Sequence, residues 1–551
     1  MDSGDLRSRI SNFIEGDVTD SPETLRPLAR DASIFERTPA VAVYPKNAED
    51  VENIVRFAHD EKSAGRNISI SARAAGTDMT GAPLTDSISL VFTKYMNHLR
   101  DVGDDFAVVE PGMLYRDFEK ETMAHDGLLM PCYPASREKC ALGGMLANNC
   151  GGELTLKYGK INNYVKEMEV VLSDGTRATV RPLSMRELDA KKSRQTLEGK
   201  IYREIHALIE DNADAIEKAR PTVTKNSAGY ALWNVIDRKK GTFDLTQLIV
   251  GSQGTLALIT SSRLGLVRRK EHRAMLVIFL SDMEIIPEVV HRVLKFSPES
   301  FESYDDHTWK LAVRFIPELI KHMGFMKMIA LGFAFIPEIV MAVEGGVPKL
   351  VLMAEFAEDS KEEAVEKVRE AQSALYGLHV MTKIATSPAN VAKYWTIRRE
   401  SFSLLRKNPL GLHAAPFIDD IVVHPDDYPQ FLPELNALLD EYHLIYTIAG
   451  HAGEGNFHII PLIDLAKPEY RKIVLELQPR VYKLVTKYHG SITGEHNDGI
   501  VRTPYLPLMF GDKMCELFAQ VKNIFDPLNI LNPGKKDGGT IADIERSMIK
   551  G

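Results

Sequence analysis

The chain has 551 residues, 44% of them hydrophobic and 26% charged, with a formal net charge of -9. That length calls for more than one hydrophobic core, and the acidic balance gives no basic footprint for nucleic acid. Four cysteines with no C-x-x-C spacing argue against an iron–sulfur cluster or zinc ribbon in this chain, and they fit a reducing, cytoplasmic setting without disulfides.

The first residues, Met1 to Arg7, contain no apolar h-region, so no signal peptide is expected. Residues 1–36 read as a helical N-terminal extension. From Pro39 helix and strand alternate. Asn47 caps a helix whose Val51, Ile54, Val55 and Ala58 follow the 3.6-residue period. Strands are expected at Ile68–Ile70, Ser87–Phe92 and Phe106–Val109, and a hairpin at Glu167–Leu172 and Thr176–Val180 around Asp174-Gly175. Gln247–Thr260 reads as two strands around Gly251-Ser-Gln-Gly254. Residues up to 268 form one α+β nucleotide-binding unit in this reading.

A second strand-and-helix domain begins near Arg273. It has strands at Ala274–Leu280 and Lys349–Phe356 and helices from Ile286 and over Lys361–Leu375. Phe315–Val343 is apolar but interrupted by charges and by Pro317 and Pro337. Its longest uncharged run, Met328–Pro337, is far short of the ~20 residues a spanning helix needs. A buried or interfacial helical pair is expected there, with peripheral membrane contact left open. The Pro/Asn-rich segment Phe525–Lys535 is expected to end the globular fold.

Three small-residue segments lie next to strands: Arg73-Ala-Ala-Gly-Thr-Asp-Met-Thr-Gly81, Leu142-Gly-Gly-Met-Leu-Ala-Asn-Asn-Cys-Gly-Gly152 and Val250-Gly-Ser-Gln-Gly-Thr-Leu256. Small side chains let backbone N–H groups approach a phosphate. Together they suggest an extended ligand threaded along the domain. Neither a P-loop nor a G-x-G-x-x-G is present.

Near the C-terminus stand His451-Ala-Gly-Glu-Gly-Asn-Phe-His458 and Thr493-Gly-Glu-His-Asn-Asp-Gly499. Apolar β-formers flank Gly453, Gly455 and Asn456, so a hairpin brings His451 and His458 onto facing strands. Glu495 follows a helix over Ile473–Tyr488 and is the natural third ligand. Neutral imidazoles and a carboxylate suit Zn²⁺ or Mn²⁺. His496, adjacent to Glu495 and expected to point elsewhere, is left as a base. A divalent ion beside a free base suits alcohol oxidation.

On these residues the chain resembles the flavin-dependent D-2-hydroxyacid dehydrogenases, the group of D-lactate dehydrogenases, glycolate oxidase large subunits and D-2-hydroxyglutarate dehydrogenases. The matching stretches are Pro134-Ala-Ser136, Gly143-Gly144, Asn149-Cys-Gly-Gly152, Tyr158-Gly159, Lys225-Asn-Ser-Ala-Gly-Tyr230, Gly251–Leu256, the Gly-Glu-His segment and Asn532-Pro-Gly-Lys535.

The resemblance implies an α+β fold. A PCMH-type (vanillyl-alcohol-oxidase-like) FAD-binding domain over 37–268 is followed by a cap, the FAD-linked oxidase C-terminal domain, over 269–535, and a tail over 536–551. It implies non-covalent FAD held by Arg73, Ala75, Gly76, Thr77 and Asp78, by Pro134, Ser136, Gly143 and Gly144, and by Asn149, Gly151, Gly152 and Tyr158. Gly254, Ile259 and Asn532 complete the set. It implies the metal role for His451, His458 and Glu495, the base role for His496, and Arg398 as the clamp on a substrate carboxylate, which a guanidinium binds bidentately.

The implied reaction oxidises a small D-2-hydroxy acid to the 2-oxo acid, with hydride passing to flavin N5. An external electron acceptor (a quinone, cytochrome, flavoprotein or Fe–S protein) follows, since no second redox centre is evident. Arg399, Arg406 and Lys407 are candidate cations for a second substrate carboxylate. The sequence departs from the family at Ala74, Ala75 and Asp78 in the phosphate loop, at Gln253, and at Asn497 where glycine is usual. The alternatives are a flavin-dependent transferase resembling alkyl-dihydroxyacetone-phosphate synthases and a non-catalytic FAD-binding subunit.

Overall fold

The computed structural model describes residues 3–306, 348–406 and 412–550. Segment 315–343 and Lys407 lie outside these residues, as do the side chains of Arg399 and Arg406. Among the described residues no helix is long and apolar enough to cross a membrane.

The N-terminal part is built on two sheets. In the first, strands Val41–Tyr44, Ile88–Val91 and Ile70–Arg73 run parallel, and Asp17–Thr19 adds antiparallel to Val41–Tyr44. The helix Ala48–Ser63 covers this sheet. Asn47 caps it by accepting from the Asp50 N–H, and Val51, Ile54, Val55 and Ala58 are buried as their period requires. Each fully buried Val or Ile contributes about 1.5–3 kcal/mol. The second sheet is antiparallel, in the order Leu99–Val102, Phe106–Val109, Leu258–Gly265, Val165–Val171, Arg177–Val180.

The C-terminal part is an antiparallel sheet of eight strands. Its order is Met381–Ala385, His272–Leu280, Leu350–Glu358, Ser300–Asp305, Ile445–His451, Asn456–Ile463, His413–Ala414, with Ile421–Val422 also pairing to Asn456–Ile463. Ala274–Leu280 is buried at every residue. Such continuous burial needs cover on both faces. Helix Lys361–Ala374 packs on this strand, and Tyr394 and Trp395 join Met275, Val277 and Phe279 in a separate cluster.

Four expectations change. Residues 1–36 are not a helical extension throughout, because Asp17–Thr19 pairs with the strand Val41–Tyr44 as part of the first sheet. The first half of Gln247–Thr260 is a helical turn, Thr246–Ile249, because Asp244 accepts from the Thr246 N–H and hydroxyl and starts a turn instead of a strand. The helix expected from Ile473 begins at Pro468, where a missing N–H costs nothing in the first turn. The fold does not end at Lys535. Residues Ile541–Ser547 form a helix opened by a Thr540–Asp543 capping box, Ile544 and Met548 are buried, and Met548 pairs with Phe35.

Candidate active site

The hairpin Ile445–His451/Asn456–Ile463 sets Ala449 opposite His458 and His451 opposite Asn456. Its turn needs glycine at 455: φ is +74°, and a Cβ there would lie 1.7 Å from the Val423 carbonyl oxygen. The loop carrying Glu495 and His496 is pinned by buried Asp420. This carboxylate accepts from the Thr493 hydroxyl (2.6 Å) and from the N–H groups of Glu495 (2.9 Å) and His496 (2.7 Å). Asn497 then takes φ +72°. Asparagine tolerates that left-handed conformation better than most residues, which accounts for its standing where glycine is usual. Its amide donates to the carbonyls of Gly251 (2.8 Å) and Asn148 (3.2 Å), tying the loop to the small-residue segments.

Three imidazoles converge on one oxygen. Glu495 Oε1 lies 3.5 Å from His451 Nε2, 3.4 Å from His458 Nε2 and 4.0 Å from His496 Nε2. The opposite ring nitrogens face carboxylates: His451 Nδ1 is 2.6 Å from Glu302, His458 Nδ1 is 3.1 Å from Asp419 Oδ1, and His496 Nδ1 is 2.9 Å from Asp419 Oδ2. A carboxylate hydrogen-bonded at Nδ1, as at His451 and His458, places a proton there and leaves Nε2 facing Glu495, whereas His496 meets Asp419 as an ion-pair contact without a hydrogen bond. The expectation that His496 points away from Glu495 is therefore corrected: the bend at Asn497 lets neighbouring side chains face the same space.

The electrostatics follow from burial against paired charge. Burial opposes ionisation of Glu495, yet the Lys225 ammonium and His451 hold its carboxyl well below the usual range. Burial also works against a charged His458, but Asp419 outweighs it and pushes the imidazole up to about 10. His496 is raised in the same way by Asp420 and Asp419. So many buried carboxylates leave the pocket wanting positive charge.

The donor set fits a divalent ion. Donor atoms of His451, His458 and Glu495 lie within 4.8 Å of one another, as do those of Asp419, His458 and His496. Bonds of about 2.1 Å in tetrahedral geometry give donor separations of about 3.4 Å. The two histidine–glutamate distances of 3.5 and 3.4 Å match that edge, and the His496 distance of 4.0 Å exceeds it.

This cluster closes one end of a cavity of about 550 Å³. Glu302 and Arg398 stand there as well, with Arg398 Nη2 3.2 Å from Glu302 Oε2. Along the wall run the loop Arg73, Ala75, Gly76, Thr77 and Asp78 and the segments bearing Pro134, Ser136, Gly143 and Gly144. Gly151, Gly254 and Ile259 also line it. Residues of all three small-residue segments thus line one cavity with the histidines.

Asp78 does not aim its charge into the cavity. It accepts from the N–H groups of Thr80 (2.9 Å) and Ala82 (3.0 Å), from the Thr80 hydroxyl and from the Asn148 amide (2.9 Å). Arg73 braces the same loop by donating to the carbonyls of Leu28 (3.1 Å) and Arg30 (2.7 Å). Burial and nearby Asp78 push the carboxyl of Asp31 up to about 8, against the hydrogen bonds it accepts from Ser33.

Asn149, Gly152, Tyr158 and Asn532 are not on the cavity wall. Asn149 ends the helix Leu142–Asn148 in a left-handed turn. Gly152 backs onto the Tyr133 carbonyl, and the Tyr158 hydroxyl donates to Glu299 (3.1 Å). Asn532 accepts from Ser71 and donates to the carbonyls of Ala82 and Gln253. They support the cavity wall from behind.

Sequence reasoning missed Glu302, Asp419, Asp420 and Lys225. The available signal was an acid inside an apolar strand run, Phe301-Glu302 and Phe417-Ile-Asp-Asp-Ile-Val422. Lys225 opens one of the stretches that resemble the family, but nothing in that stretch assigned it a role at the site.

A family model of the FAD binding domain matches residues 39–181, and one of the C-terminal domain of FAD linked oxidases matches residues 269–536. A D-2-hydroxyglutarate dehydrogenase of Pseudomonas putida is 26% identical over 96% of this chain and 51% of its own length. The chain therefore spans about half the length of that relative. A D-lactate dehydrogenase of Archaeoglobus fulgidus is 27% identical over 92% of this chain and 95% of its own. Among solved structures, an alkyldihydroxyacetonephosphate synthase shares the fold, with a TM-score of 0.65 at 16% identity over 97% of this chain and 85% of that one. With an FAD binding domain ahead of the matching C-terminal domain and one cavity lined by residues of both, the chain belongs to the FAD-linked oxidase family.

Proposed function

We propose that the protein is an FAD-dependent dehydrogenase of D-2-hydroxy acids, of the D-lactate, glycolate or D-2-hydroxyglutarate class. The observation that carries this reading is the convergence of three imidazole Nε2 atoms on Glu495 Oε1, beside Arg398, in the same cavity as the small-residue segments. FAD, when bound along Arg73–Asp78, Pro134–Ser136, Gly143 and Gly144, accepts the two electrons of the oxidation as hydride. A Zn²⁺ or Mn²⁺ ion held by His451, His458 and Glu495 supplies Lewis acidity beside the substrate hydroxyl.

The chain's own residues do the rest. Arg398 binds the substrate carboxylate and fixes which face of C2 is presented. In its neutral form His496 removes the hydroxyl proton at Nε2, and the nearby aspartates that raise its imidazole make it a stronger base. Asp419, 2.9 Å behind its Nδ1, stabilises the imidazolium that results. Its side chain is 20% exposed, against 7% and 10% for His451 and His458, so it reaches furthest into the open space. Glu302 contacts both His451 and Arg398 and keeps clamp and ligand in register. An external electron acceptor completes turnover, whether a quinone, cytochrome, flavoprotein or Fe–S protein.

The test is anaerobic bleaching of the bound flavin by D-lactate, glycolate and D-2-hydroxyglutarate, with and without chelator. Bleaching by a D-acid that chelator abolishes supports the reading and names the acid. A flavoprotein that none of the three bleaches overturns it in favour of a flavin-dependent transferase or a partner-dependent subunit.

A further inference from the structure

Lys225 comes from the stretch between the two matched domains, and its ammonium does not line the cavity. Its side chain is 0% exposed and crosses to the C-terminal domain, where Nζ lies 3.2 Å from Glu495 Oε2, 3.0 Å from Glu454 Oε2 and 3.5 Å from Asn456 Oδ1. The residues around it run between the two site loops. The Thr224 hydroxyl donates to the Glu454 carbonyl (2.9 Å), the Ser227 N–H to the Thr493 carbonyl (3.0 Å), and the Ser227 hydroxyl to the Gly494 carbonyl (3.0 Å). Residues 224–227 thus strap the His451–His458 hairpin to the Glu495 loop.

Glu495 divides its two oxygens between different tasks. Oε2 belongs to Lys225, and Oε1 turns toward His451 and His458. A carboxylate among imidazoles can rotate to offer either oxygen or both; an ammonium fixed by a strap on the far side removes that freedom. We propose that Lys225 is a positioning residue, fixing the Glu495 side chain so that a single oxygen faces the two imidazoles. The proposal rests on the reading of His451, His458 and Glu495 as a cation site. It assigns the stretch between the two domains a part in that site. Glu454 then serves as the counter-charge that keeps the buried ammonium in place, since a buried charge needs a partner.

The experiment uses the full chain with its flavin and measures Zn²⁺ and Mn²⁺ affinity by competition with a chromogenic chelator. Flavin absorbance and thermal melting report on the fold. Lys225→Met is expected to keep flavin and lower cation affinity by about 10–100-fold, the usual effect of losing a group that orients a ligand. Lys225→Arg is expected to recover most of it. Lys225→Met alone leaves two buried carboxylates facing each other, so the double variant Lys225→Met/Glu454→Gln, which removes a cation together with an anion, gives the same readout in a charge-balanced interior.

Unchanged cation affinity in a folded Lys225→Met or double variant overturns the inference. Failure of both to fold as flavoproteins overturns it too, in favour of a purely structural ion pair. A wild-type protein that competes for neither metal sinks the cation-site reading itself, whatever Lys225 does.

Discussion

Glu302→Gln tests the coupling between Arg398, the proposed substrate clamp, and the hairpin that carries the proposed ligand His451. Glu302 is buried on the strand Ser300–Asp305, and its two oxygens serve different partners: Oε1 is 2.6 Å from His451 Nδ1 and Oε2 is 3.2 Å from Arg398 Nη2. The amide is isosteric, so the change removes charge and leaves shape. A hydrogen bond to a charged group contributes about 1.5–3 kcal/mol, and about 1.4 kcal/mol is a factor of ten. The 2.6 Å contact is short enough for the upper part of that range. The expected result is a loss of cation affinity of about 10–100-fold together with a rise of similar size in the KM for the hydroxy acid. Arg398→Lys should raise KM while leaving the cation affinity alone, because it touches only one of the two contacts. The assay pairs chelator competition with steady-state kinetics at saturating metal, with a melting curve as control. A Glu302→Gln protein that melts like wild type, binds Zn²⁺ as tightly and keeps its KM would refute the coupling.

Other outcomes follow from single contacts. His496→Ala should lower kcat by about 100- to 10,000-fold, the span of general-base catalysis, with cation content intact; His458→Ala should lose the cation as well, and identical behaviour of the two variants would erase the distinction between ligand and base. Gly455→Ala forces a Cβ to within 1.7 Å of the Val423 carbonyl oxygen at φ +74°, so the hairpin must shift. Cation affinity should fall while flavin content holds, and a variant that binds Zn²⁺ normally would show the turn is not what sets the site. Hydrogen bonds from Arg66 and Arg9 lower the carboxyl of Glu61 to about 2. Its contribution is therefore complete above its ordinary value of 4.5 and is lost as pH falls toward 2. In Glu61→Gln, hydrogen exchange of the helix Ser3–Ser11 should be faster already at neutral pH and should lose its acid-dependent step; an unchanged profile would mean the Arg9–Glu61 contact does not anchor that helix.

Local chemistry made much of this molecule legible. Asn47 and the 3.6-residue spacing of Val51, Ile54, Val55 and Ala58 declare their helix without help from the rest of the chain. The glycines between two β-rich runs likewise declare the hairpin that aligns His451 and His458. Legibility ended where partners are far apart in sequence. Asp419 becomes a site residue only when Ile421–Val422 pairs with Phe457 and Asn456, and Lys225 only when a strap from elsewhere crosses the two loops. Asp78 stands out in the sequence only as a departure from the family, and the four hydrogen bonds that hold its carboxylate, one of them from Asn148, are invisible there. Gln247–Ile249 reads as strand but is helical, because the Asp244 side chain caps the turn at Thr246 and outweighs β-propensity.

The strand Ile70–Arg73, which leads into the small-residue loop Arg73–Gly81, is the outermost of its sheet. Its open side is met by Leu531, which pairs with Ile70, while Asn532 accepts from Ser71, a partner 461 residues away in sequence. During synthesis this edge must therefore wait, unpaired, while the entire C-terminal sheet is made. Contacts of such long sequence separation form slowly, and an unpaired strand edge is a template for joining other chains. The nascent N-terminal domain is thus the aggregation-exposed phase of this protein's life.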